Sequence, residues 1–210
     1  MNTVIFLFLL TLYWLNSARR MLLKKRLKKD IQLNLKTIAR NISLMILPDK
    51  KFKIEGETDR LKNGAILYSL HFGVWESMPA ILRKSLNKEI GILVNRYTDT
   101  NIFIIGKAMD RLLYAWRARY NIRIFYPDEI FKIVKFVKEG GIFSALVDGN
   151  KPYSKLKKIE RLGRICSVPV VPFVVYYDGR NSIMNINCNL DKLLKQRPFD
   201  YWWFYKSRRQ

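Results

Sequence analysis

The sequence predicts an α/β fold: a central mixed or mostly parallel sheet flanked by helices, with an N-terminal membrane-anchoring helix ahead of it. Three observations carry this. Short apolar runs alternate with longer amphipathic ones, the pattern of strands joined by crossover helices. Several of the short runs end on a polar residue beside a turn-former, as strands of open α/β sheets do where ligands bind. And Val4 to Leu15 is an apolar run interrupted only by Thr11, with Arg19, Arg20, Lys24, Lys25, Arg26, Lys28 and Lys29 after it.

The chain has 210 residues, which suits one domain with a sizeable core. We divide it into an anchor at 1–20, a basic amphipathic helix at 21–48 and a single α/β domain at 49–210. The apolar run is shorter than the about 20 residues of a comfortable span, and counting from Met1 to Ala18 brings it near the limit. A signal peptide would place positive charge before such a run; here the charge follows it, which puts the basic side in the cytoplasm. Tyr13 and Trp14 suit an interfacial belt. A buried N-terminal helix is the competing reading. Beyond it, Leu23, Leu27, Ile31, Leu35, Ile38 and Ile42 recur at helical spacing with lysines between them, as on a helix lying on anionic lipid. Pro48 ends that helix.

The α/β domain then reads in order. Phe52 to Glu57 alternates as a short strand, and Lys62-Asn63-Gly64 turns the chain. Ala65 to Leu70 is a buried strand, and Trp75 to Leu86 is a helix with Pro79 near its first turn, where proline is tolerated. Ile90 to Asn95 is the next strand, with Arg96 at its end. Thr100 to Tyr120 is a helix that closes on Trp116-Arg117-Ala118-Arg119-Tyr120. Ile122 to Phe125 is a strand, and Pro127 to Glu139 a helix that stops at Gly140-Gly141. Ile142 to Val147 is a strand ending at Asp148-Gly149-Asn150. A basic loop, Lys151 to Lys158, leads to a short helix, Ile159 to Cys166. Val168 to Tyr176 is a strand whose prolines suggest a sheet edge or strand ends. Asp178 to Asn181 turns into a last strand, Ser182 to Cys188, before an aromatic and basic tail.

Function is read from what remains after exclusion. The formal charge of +22 implies an anionic partner: nucleic acid, anionic membrane, or a phosphorylated or acidic substrate. The apolar run beside the basic helix favours lipid over nucleic acid. Phosphate-cradling and dinucleotide fingerprints are missing, as is a nucleophile elbow. One histidine with Cys166 and Cys188 makes no zinc site, and no cofactor is called for. Two cysteines without metal spacing permit one disulfide but require none.

His71 is the chain's single histidine, at the carboxyl end of an apolar strand, with Gly73 next to allow a sharp turn and Glu76 five positions on. On one continuous helix those side chains would diverge by about 140°. With His71 on the turn and Glu76 in the first helical turn, both can face the strand-end crevice, Glu76 fixing the ring as an orienting acid does. A structural histidine beside a favourable first-turn acid fits the pattern equally. Arg96, Arg117 and Arg119 have the forked donors that suit phosphate or an oxyanion, although any one alone reads more simply as surface charge. Asp148 lies at another strand end, where it could also just start a turn.

These residues resemble a known family, the bacterial lipid A biosynthesis (late) acyltransferases, within the wider H-x4-D/E glycerolipid and lysophospholipid acyltransferase group. SLHFGVWE at 69–76 resembles the family's S-x-H-F-G-N-W-E block, and FKIEGE before it the E-G-x-E entry. WRARYN at 116–121 is similar to the arginine block, GGIFSALVDGN at 140–150 to the strand ending in aspartate, and SVPVVPFVV at 167–175 to the G-A-P-V-V-P-F strand. RPFDYWWFYKSRR resembles the closing P-E-Q-W-x-W-x-H-R-R-x-K block. Six blocks in family order are far more specific than H-x4-E alone. The resemblance is to a shortened member: the family's F-F-G loop is missing between Asn150 and Leu162, and Val74 and Tyr205 replace motif residues.

The resemblance implies an O-acyltransferase of lipid A and lipopolysaccharide biosynthesis at the inner membrane, with the catalytic domain on the cytoplasmic face. The donor would be an acyl carrier protein thioester, or acyl-CoA, and the acceptor a hydroxyl of an anionic glycolipid precursor. His71 would be the general base and Glu76 its orienter. Arg117 or Arg119, or amides after Gly73, would serve the oxyanion; Arg96 and Asp148 would complete the substrate site. A glycerol-phosphate or phosphatidylinositol-mannoside type acyltransferase shares the chemistry. A non-catalytic basic membrane- or nucleic-acid-binding protein is the alternative of another class.

Overall fold

The structure is a computed structural model that describes residues 33–41, 52–95, 111, 114, 115, 117, 122–148 and 152–202. Its centre is a seven-stranded sheet in the order β1-β7-β6-β2-β5-β3-β4. The strands are β1 (Phe52–Gly56), β2 (Ala65–Ser69), β3 (Ile90–Leu93), β4 (Arg123–Phe125), β5 (Ile142–Leu146), β6 (Val170–Tyr177) and β7 (Ser182–Ile186). From β6 to β4 every neighbouring pair is parallel. The β6–β7 hairpin is the sole antiparallel pairing among these strands, and β1 adds to β7 in parallel. The sheet is therefore mixed but mostly parallel, as the sequence predicts.

The helices are α1 (33–41), α2 (Met78–Leu86), α3 (Ile130–Lys138), α4 (Leu156–Cys166) and α5 (Leu190–Gln196). Residues 111, 114, 115 and 117 are also helical. The central strands are apolar throughout because both their faces are covered. Ile66, Phe143 and Val174 pack beneath α3, α4 and α5, against Ile133, Phe136, Ile159, Leu162 and Leu190. Leu67, Ile142 and Phe173 pack on the opposite side with Met78, Ile81 and Leu82 of α2. Each such fully buried side chain contributes about 1.5–3 kcal/mol relative to exposure.

Four expectations are corrected. Helix α4 starts at Leu156, earlier than Ile159. Helix α5 falls between the last predicted strand and the tail, where no element is predicted; Asn189 caps it, its side chain accepting from the Lys192 N–H. Strand β6 is interior, so of the two readings of its prolines the sheet edge falls, while Pro169 does lie at a strand end, just before Val170. Its Pro172 is accommodated because pairing with β2 ends there and pairing with β7 begins at Phe173, so the missing N–H falls at the handover, while the proline carbonyl accepts from Asn187 N at 2.8 Å. Finally, α1 turns Asn34 and Asn41 inward beside Ile38 of the predicted apolar positions; Leu33, which is not among them, is exposed.

The predicted anchor at 1–20 lies outside the described residues, as does most of the 21–48 helix. Among the described residues no helix is long and apolar enough to cross a membrane.

Both cysteines are free. Burial pushes the Cys188 thiol up to about 11 and raises that of Cys166 as well. A raised thiol pKa means less thiolate at neutral pH, roughly one part in a thousand at pH 8 for Cys188. An aromatic disulfide reagent should therefore label the folded protein slowly, faster by about tenfold per pH unit, and rapidly once unfolded. Rapid labelling of native protein at neutral pH would contradict this burial.

Candidate active site

The site is built where β2 stops. Strands β2 and β5 are neighbours in register, Ser69 opposite Leu146, so the residues just beyond them emerge together. Val147 N donates to Ser69 O at 2.8 Å, which carries the pairing one step further. Past that point β2 leaves the sheet. His71 sits on the turn, and Gly73 and Val74 rejoin the sheet against β6, Gly73 bridging Val175 and Val74 N donating to Val175 O at 2.8 Å.

That detour thrusts His71 out over the end of β5, where Asp148 meets it twice. Asp148 Oδ2 accepts from the His71 backbone N–H at 3.0 Å, and Oδ1 lies 2.7 Å from Nδ1. A carboxylate only accepts, so Nδ1 carries the proton and Nε2 becomes the basic nitrogen. The Asp148 side chain is fully buried, whereas His71 keeps about a quarter of its side chain exposed (27%). Trp75 packs edge-on to the imidazole, with ring centroids 5.0 Å apart, and Trp202 packs on Trp75 in turn. The Tyr201 phenol has its pKa raised by burial and then by the neighbouring Asp148 charge.

The acid on the imidazole is thus Asp148 rather than the expected Glu76. Glu76 instead grips Arg117: Nη2 donates to Oε1 at 2.6 Å and Nε to Oε2 at 3.2 Å. Glu76 lies in a 3-10 turn, Trp75–Ser77, that follows the return onto β6. Both partners are largely buried, with 10% and 17% of their side chains exposed. A two-pronged pair in such a place is a fixed unit. Its geometric reason is the detour: the turn that carries Glu76 on toward α2 leaves the ring's Nδ1 to the residue arriving on the adjacent strand.

Of the amides after Gly73 expected to serve an oxyanion, that of Val74 is engaged within the fold, as is that of Gly73 itself. Gly73 N donates to Asp200 O at 2.9 Å and Val74 N to Val175 O. Arg96 and Arg119 lie outside the described residues. The described residues hold no group of His, Cys, Asp or Glu fit to bind a metal ion.

Sequence reading missed the C-terminal strap. Tyr201 bridges Phe72 antiparallel, Trp202 N donates to His71 O at 2.8 Å, and Trp202 Nε1 to Gly73 O at 3.3 Å. Nothing local announces contacts across about 130 residues of chain, although the run of aromatic residues in the tail, Phe199, Tyr201 and Trp202 among them, is a signal that the tail packs.

No protein-family model matches this chain, and no curated protein matches it in sequence.

Proposed function

We propose that the chain is an O-acyltransferase that moves a fatty acyl group from an acyl carrier protein or CoA thioester to a hydroxyl of an anionic glycolipid, of the lipid A precursor kind, at the cytoplasmic face of the inner membrane. The observation that carries this reading is the Asp148–His71 couple at the carboxyl ends of adjacent parallel strands, with Nδ1 held at 2.7 Å and Nε2 in the role of base. The chemistry asks little more. Nε2 takes the proton of the acceptor hydroxyl as its oxygen bonds to the thioester carbonyl carbon. The tetrahedral intermediate collapses, the C–S bond breaks, and the thiolate leaves with the proton returned from the imidazolium. A positioned base contributes about 10²–10⁴-fold. A covalent acyl-enzyme is unnecessary, because a thiolate of pKa about 8.5 already leaves readily.

Asp148 takes the orienting role, and Glu76 holds Arg117 at the turn following His71 as a fixed positive charge for the oxyanion or a lipid phosphate. The net charge of +22 suits both an acidic carrier protein and a phosphorylated lipid. The six sequence blocks support the substrate class.

The test is free-thiol release from acyl carrier protein, with and without lipid acceptor, in a membrane-mimetic containing the full chain. Acceptor-dependent release with an acylated glycolipid in the mass spectrum is expected. Transfer only to glycerol phosphates or phosphatidylinositol mannosides would reassign the acceptor. No release, with salt-dependent duplex binding instead, would replace the enzyme by a nucleic-acid-binding protein.

A further inference from the structure

Helix α1 reaches the His71 turn through the C-terminal strap. Asn34 Nδ2 donates to the carbonyl of Phe199 at 2.8 Å and to that of Tyr201 at 3.0 Å. Further along the same helix, Arg40 pairs with Asp200 Oδ1 at 3.5 Å and Asn41 Nδ2 reaches the same oxygen at 3.4 Å. Arg197 Nε takes the other oxygen of Asp200. Asn34, Asn41 and Asp200 are all buried, at 2%, 0% and 4% exposure. The strap they hold is in turn bonded to the turn of the candidate site, Asp200 O to Gly73 N and Trp202 N to His71 O.

A helix that merely covers a core turns an apolar stripe inward. Here two of the three buried residues of α1 are asparagines, spent on particular backbone and carboxylate oxygens of the strap. Directional bonds of this kind set position, and their removal leaves buried carbonyls without donors. We infer that α1 is a positioning element of the site: through Asn34, Arg40 and Asn41 it locks strap residues 199–202 in register against the His71 turn, so that undocking α1 disorders the imidazole. Asn34 and Arg40 are positioning residues and touch no substrate. The inference rests on the acyltransferase reading only for its kinetic consequence.

His71 being the only histidine, its ring can be read alone. Full-chain protein with ¹⁵N-labelled histidine, in detergent micelles, should give one set of imidazole signals with an Nδ1-bound proton shifted downfield by the carboxylate. Asn34→Asp keeps the shape but removes both donated bonds. It should weaken or split that signal, and lower kcat by about 10–100-fold with KM changed less than about twofold. Arg40→Met should move the same signal less. Leu33→Ser, on the exposed side of α1, should leave ring and kcat as in wild type. Unmoved ring signals in folded Asn34→Asp overturn the inference. If circular dichroism shows that variant unfolded, unmoved signals in Arg40→Met overturn it instead. Absence of acyl transfer in the wild type would sink the acyltransferase reading alone, since the ring spectra still decide whether α1 positions His71.

Discussion

Asp148→Asn is expected to lower acyl transfer by about 10⁴-fold, as deep a loss as His71→Ala, with the fold retained. The two oxygens of Asp148 do different work: one accepts the His71 backbone N–H at 3.0 Å, the other the ring at 2.7 Å. An amide has only one oxygen. If that oxygen stays on the backbone N–H, the amide NH₂ faces Nδ1 and must donate to it. Nδ1 then holds no proton, the proton moves to Nε2, and the base is lost without any atom being misplaced. Asn is nearly the same size, so the buried pocket still closes around it. Initial-rate measurements of thiol release on Asp148→Asn, His71→Ala and the double variant check this. Residues that act as one unit are strongly non-additive, so the double variant should be no slower than the worse single one. Activity of Asp148→Asn within tenfold of wild type, or independent additive losses, would exclude the couple. Glu76→Gln should be milder, because Glu76 acts through Arg117.

Gly73→Ala is expected to destabilise the protein by about 3 kcal/mol or more. The residue has φ +58°, and a Cβ there would sit 2.1 Å from the Val175 carbonyl oxygen. That oxygen belongs to an interior strand and accepts from Val74 N, so it cannot move aside without breaking the return of the chain to the sheet. Relief requires the turn to lift from β6, which also pulls Gly73 N from Asp200 O and Trp202 N from His71 O. A thermal melt should show a fall of about 10 °C, and kcat should drop alongside stability because the same turn carries the imidazole. A melting temperature within about 2 °C of wild type would show that the backbone there is not constrained.

Both predictions concern a stretch whose importance is visible in the sequence, yet their content is not. The strand Ala65 to Ser69 is legible because it is apolar on both faces, and a strand buried on both faces has no alternation to confuse. His71 and Gly73 stand out as a lone titratable group and a turn-former at its end. The pairing of His71 is where local reasoning misleads. Spacing favours Glu76 because it is five residues away, whereas Asp148 is separated by 77 residues. Strand order decides the matter: β5 lies directly beside β2, and parallel register delivers Asp148 to the height of His71. Proline tells the same story in reverse. Pro172 argues for an edge by its lost donor, but in the sheet the loss coincides with the handover from β2 to β7 and goes unfelt. Helix α1 likewise shows helical spacing in sequence, while the reason for its two asparagines lies in the far C-terminal strap: Asn34 donates to the Phe199 and Tyr201 carbonyls and Asn41 to the Asp200 carboxylate.

The sequence by itself determined the α/β class, the seven strands to within two residues at their ends, and the histidine at a strand end, because burial pattern and turn chemistry are local properties of the chain. Tertiary structure alone decided which acid faces the imidazole, why Glu76 and Arg117 hold each other, and that α1 and the C-terminal strap brace the turn. These depend on strand order and on contacts between distant segments, and no residue's immediate neighbours encode them.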